Sequence, residues 1–160
     1  MTELNIPLFS SHIERLNLTL HDFQSLLEIE SQHLKDNDVT SLSETSKRKS
    51  ELSDQIETLV KKIEHDLPDN LGNQHFFELA QKKAFLSLSP NLQANVDISM
   101  ALSQACHDLN LANGMAIQIL SNMNQVSLKI LTGQNQTESK LYGSSGSTTQ
   151  NKTQSSLGKA

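Results

Sequence analysis

The sequence predicts an all-α protein: an elongated antiparallel helical hairpin or bundle of coiled-coil character, with a long C-terminal helix and a disordered C-terminal tail. Three observations predict it. Apolar or small residues recur at strict 4,3 spacing from Ile98 through Leu102, Ala105, Leu109, Ala112, Ala116, Ile119, Met123 and Val126 to Ile130, which is the period of one helix face. Apolar residues make up 36% of the 160 and aromatic ones only 4%, too little for a broad globular core but enough for helix stripes. From Gly133 to Ala160 the chain is almost wholly Ser, Thr, Gln, Asn, Gly and Lys, a composition that cannot offset the entropy of ordering. The expected division is a helical domain over residues 1–132 and a flexible polar tail over 133–160.

The first helix, about 8–36, begins near Pro7 and a Ser11-x-x-Glu14 capping box. Its stripe is Phe9, Ile13, Leu16, Leu20, Phe23 and Leu27, then Glu30 where an apolar residue is due, then Leu34. Asp36-Asn37-Asp38 breaks it. Asp38 or Ser41 caps the second helix, about 39–66, which carries Leu42, Leu52, Ile56, Leu59 and Ile63 and ends before Pro68. So short a connection forces an antiparallel hairpin, and pairing across the turn brings Glu30 and Lys49 into the seam together. Two readings stand for this couple. Either both side chains reach solvent from a narrow seam, or they form an ion pair that fixes the hairpin register.

Residues 67 to 73 read as a turn, and a shorter helix is expected over 74–88. Ser89 as N-cap with Pro90 at the first helical position opens the last helix, 90–131, roughly 60 Å long at 1.5 Å per residue. Its only formal charges after Pro90 are Asp97, Asp108 and Lys129. Outside the 4,3 ladder it also carries Val96, Met100, Leu111, Met115, Ile117, Leu120, Leu128 and Leu131. A helix apolar on several sides is covered on several sides, and the hairpin cannot cover all of it. Gly114 costs about 1 kcal/mol in mid-helix relative to Ala and, beside Ala112 and Ala116, makes a small-residue patch that a second helix could approach closely.

The net charge is −5. The tail holds three lysines and one glutamate, +2, which leaves −7 on residues 1–132, so neither nucleic acid nor an anionic membrane surface is an expected partner. The single cysteine, Cys106, allows no internal disulfide and fits a reducing compartment. No basic N-terminal region and no apolar run of about 18 residues appear, and a cytoplasmic location is expected. The six histidines form no HExxH word, and the nucleotide-binding and nucleophile-elbow glycine motifs are missing. No catalytic residue, metal site, cofactor or small-molecule substrate is expected.

Asn110-x-x-Asn113-Gly114 lies mid-way along the last helix and Leu141-Tyr142-Gly143 soon after its end. With Leu26-Leu27 before Glu30 and Lys49 before Leu52, the chain resembles the FlgN-type flagellar export chaperones over most of residues 10 to 147. The resemblance implies a cytoplasmic bacterial chaperone that holds hook-associated junction proteins, unassembled and export-competent, before type III export. It implies that Asn113, Gly114, Met115, Ala116, Ile117, Ile119, Leu120 and Met123 meet the C-terminal helical region of the client. Leu141, Tyr142 and Gly143 match the word associated with the membrane export gate, with the export ATPase a further candidate partner. The family word commonly continues with Pro or Ala, Asp and Gly, whereas Ser144-Ser145-Gly146 follows here. The competing reading is a homodimeric coiled-coil adaptor without a dedicated client, and self-association of the client-free protein is compatible with both.

Overall fold

A computed structural model describes residues 4–67, 75–82 and 89–133. The expected turn from Pro68 onward, the 83–88 end of the third expected helix, and the tail beyond Gly133 lie outside the described residues. The elements are α1 (Ile6–Asp36), α2 (Val39–Asp66), α3 (Phe76–Gln81) and α4 (Pro90–Leu131); among the described residues there is no strand. The chain divides into two compact units, Met1–Gln118 and Ile119–Ala160. The first holds α1, α2, α3 and α4 as far as Gln118. The described part of the second is the remainder of α4 with Thr132 and Gly133.

α1 starts earlier than the Ser11 capping box suggests. Asn5 is its N-cap, accepting the Leu8 amide on its side chain at 3.2 Å, with Pro7 in the first turn. Proline needs no partner for a missing N–H there, so the start moves to the first residue that can cap it, and Ser11 lies inside the helix. At the other end Asn37 takes a left-handed conformation, φ 54°, and its amide closes on the last carbonyls of α1, as asparagine does at helix C-termini. The next residue, Asp38, accepts the Ser41 amide at 3.1 Å and the Ser41 hydroxyl at 2.6 Å. One helix is thus closed and the next opened within two residues.

The two helices run antiparallel: His12 near the start of α1 meets Asp66 at the end of α2 at 2.6 Å, and Glu30 meets Lys49. The expected α1 stripe faces inward, with Phe9, Ile13, Leu16 and Leu27 fully buried and Phe23 half-buried. α2 contributes Leu52, Leu59 and Ile63, and also Thr45, a polar residue on the same face. The Thr45 hydroxyl donates to the Ser41 carbonyl at 2.7 Å, which satisfies it without a partner from α1. His12 lies at the open end of the hairpin. It is partly buried, and its imidazole is committed to Asp66.

α3 closes the end of the hairpin where α1 begins. The Phe76 ring meets Phe9 edge-on at a centroid distance of 6.5 Å, and the Phe76 amide donates to Glu64 of α2 at 3.0 Å. Leu79 and Ala80 complete that end of the core, which Leu92 and Val96 of α4 join.

The Glu30–Lys49 question is decided by geometry. Glu30 is only 2% exposed, and the Lys49 ammonium donates to both its carboxylate oxygens at 2.9 and 3.1 Å. Because Lys49 keeps a quarter of its side chain in water, Lys49→Leu alone should cost roughly 2 to 3 kcal/mol, the lower side of what orphaning a buried charge costs. Glu30→Leu with Lys49→Leu should cost clearly less than the sum of the single changes, and a denaturant double-mutant cycle measures the difference.

The Ser41 hydroxyl, and then its amide, hold the Asp38 carboxyl below the usual aspartate range. A depressed folded-state value contributes stability above the unfolded value and loses it as pH falls through the folded one. The Ser41 amide should therefore lose exchange protection below about pH 4, and Asp38→Asn, which caps without titrating, should abolish that dependence in an NMR exchange series.

Candidate functional site: the last helix

Ser89 opens α4 by accepting the Leu92 amide on its hydroxyl at 3.4 Å, and Gly133, at φ 70°, closes it. Within the first unit the face turned to the core is Leu92, Val96, Ser99, Cys106 and Asn113, with Leu102 and Leu109 partly buried beside them. This differs from the expected seam. Ile98 and Ala112 of the apolar ladder are exposed, and Ala105 is only half-buried.

Hydrogen bonds to α1 run along the observed face. The Ser99 hydroxyl donates to the Asn17 side-chain oxygen at 2.5 Å, while the Asn17 amide donates to the Asn95 carbonyl at 2.9 Å. The Cys106 thiol points at the Leu20 carbonyl at 3.5 Å. The Asn113 amide donates both to the Leu27 carbonyl at 2.8 Å and to the Glu30 carboxylate at 2.9 Å. Partners on α1 ascend together with those on α4, so the two helices run parallel in this unit. Burial pushes the Cys106 thiol above its ordinary range, and nothing around it makes it a nucleophile.

The residues expected to meet a client therefore separate. Asn113, 3% exposed, spends its side chain inside the fold. Ala116 is partly buried. Met115 and Ile117 are exposed, as is Leu111. A Cβ added at Gly114 would meet no atom within 4 Å, so no described part of this chain uses the space the glycine leaves.

In the second unit Leu120 is half-buried, whereas Ile119 is 57% and Met123 60% exposed, and Val126, Leu128, Ile130 and Leu131 are exposed as well. Lys129 is the only charge on this stretch of helix. Leu141, Tyr142 and Gly143 lie outside the described residues. Among the described residues no group of His, Cys, Asp and Glu could hold a metal ion, and no helix is long and apolar enough to cross a membrane.

What such a surface can do is bind another apolar surface. A family model described as FlgN protein matches residues 5–150, the hairpin and α4 included. The chain belongs to the FlgN family. FlgN proteins are flagellar export chaperones, and in general they bind flagellar hook-associated proteins. Comparison with curated proteins and with solved structures returned no match.

Sequence reasoning missed Asn17 and Ser99 as a hydrogen-bonded pair and took Asn113 for a surface residue. A signal for the α4 residues is that Leu92, Ser99, Cys106 and Asn113 repeat every seven residues from an apolar start, with Val96 between them; none points to Asn17.

Gly114→Ala should raise stability by about 1 kcal/mol, because the helix gains propensity and the methyl meets no neighbour. A thermal melt checks it, and the expected shift is upward by a few degrees.

Proposed function

We propose that this chain is a cytoplasmic chaperone that covers the C-terminal helical region of a hook-associated protein with the exposed apolar residues of α4, and so keeps its client unassembled until export. The observation that carries the reading is the run of exposed apolar side chains from Ile119 to Leu131, almost free of charge. Exposed apolar residues at helical spacing are what an amphipathic partner helix packs against. Of the positions suggested by resemblance, Ile119 and Met123 in the second unit and Met115 and Ile117 in the first are the proposed contacts. Leu120 and Ala116 stand at the margin, and Gly114 supplies room for a close approach. Asn113 acts from inside, by holding α4. The two methionines among the proposed contacts, Met115 and Met123, are adaptable side chains that suit a client helix that must later be released.

Delivery is assigned to the tail: Leu141, Tyr142 and Gly143 are proposed to meet the export gate, with the export ATPase as a further contact.

Ile119→Ser with Met123→Ser should lower affinity for a client C-terminal helix at least tenfold, since truncating an interface anchor costs about 2 kcal/mol or more. Both side chains are more than half exposed, so the melting temperature should move by only a few degrees. Titration calorimetry beside a melt gives both quantities. Unchanged affinity with a tight homodimer that the substitutions dissolve would favour the adaptor reading instead. Tyr142→Ala should leave client affinity unchanged and reduce client secretion.

A further inference from the structure

In the first unit α4 carries two candidate seams. One is Ser99, Cys106 and Asn113; the other is Ile98, Ala105 and Ala112, one residue earlier and therefore about 100° around the helix. Leu102 and Leu109 border both, and pack against the core in the observed arrangement. Apolarity is divided between them: Ile98 and Ala112 favour the second over Ser99 and Asn113, whereas Leu92 and Val96 favour the first over Asn91 and Asn95. The fold takes the first. Only there does the Asn113 amide reach the Leu27 carbonyl and the Glu30 carboxylate, and only there does Ser99 reach Asn17. Glu30 keeps Lys49 in either case, because that pair is internal to the hairpin.

We propose that Ser99 and Asn113 are positioning residues whose hydrogen bonds to Asn17, Leu27 and Glu30 hold α4 in one rotation on α1 and so keep Ile98 and Ala112 outside. Buried polar residues in helical seams fix register in this way at some cost in stability. On the chaperone reading above, the same bonds decide which apolar side chains of the first unit α4 offers to a client. The rotation itself does not depend on that reading.

The protein carries its own reporter. Cys106, the only cysteine, sits in the seam at 5% exposure, and a roll toward the apolar ladder would bring it out while taking position 112 in. The experiment labels the full chain with iodoacetamide, followed by mass spectrometry, with and without Ser99→Ala and Asn113→Ala together. A second reporter is Ala112→Cys in a Cys106→Ala background.

The expected result is opposite movement: Cys106 labels roughly tenfold faster or more in the double variant, and the cysteine at 112 labels correspondingly slower, with helicity by circular dichroism unchanged. Faster labelling at both positions would mean that α4 is loosened rather than turned, and unchanged labelling at both that apolar contacts alone set the rotation; either result overturns the proposal. Asn113→Ala alone, with Ser99 in place, gives the same opposite movement at smaller amplitude and covers a double variant that melts below the labelling temperature. These measurements contain no client. If the helix turns and client affinity, measured separately, stays the same, the link to client choice is overturned while the rotation stands.

Discussion

The carboxylate of Glu30 is the point on which three helices depend. It is withdrawn from water on α1, neutralised by Lys49 from α2 and bonded by Asn113 from α4. A buried charge is costly unless its partners are in place, and here each partner comes from a different element. The hairpin must therefore keep the register that delivers Lys49, and α4 must keep the rotation that delivers Asn113. Apolar stripes alone would tolerate sliding and turning, because one leucine replaces another at little cost. The polar centre removes that freedom.

The composition of α4 follows from where each stretch is satisfied. In the first unit its inward positions include a serine, a cysteine and an asparagine, each aimed at a group on α1. In the second unit the described residues from Ile119 onward are rich in Ile, Met, Val and Leu, and all but the half-buried Leu120 lie open. An ordinary solvent-facing helix covers such an outside with polar side chains. On the proposed function the exposed residues have a use: they are left free for a client helix, while α4 is held to its own fold by Leu92 and Val96 together with the bonds of Ser99 and Asn113.

Much of the hairpin was legible in the sequence because its information is periodic. Phe9 to Leu34 and Leu42 to Ile63 follow one helix face each, and the turn chemistry of Asn37 and Asp38 is local. The rotation of α4 was not legible from the apolar ladder that starts at Ile98, which leaves out Leu92 and Val96 and registers nothing of a carbonyl on another helix. The start of α1, expected at about residue 8 near Pro7, lies two residues earlier at Ile6, because Asn5 and not Ser11 caps the first turn. Thr45 was missed because its hydroxyl is answered within α2 itself. The family was legible from short words at fixed positions, whereas the client-binding roles proposed for Met115, Ile117, Ile119 and Met123 rest on exposure joined to that resemblance.

The central claim is that α4 is held on its own hairpin with the help of Ser99 and Asn113 and offers its exposed apolar residues to a client. Methyl NMR of the full chain, titrated with the C-terminal helix of a hook-associated protein, tests this most directly. Saturable shifts at Met115, Ile117, Ile119, Met123 and Val126, with Leu16, Leu27, Leu59 and Ile63 unmoved, are the result expected. Shifts concentrated in the α1–α2 core, with the methyls of residues 119–131 unmoved, would contradict it.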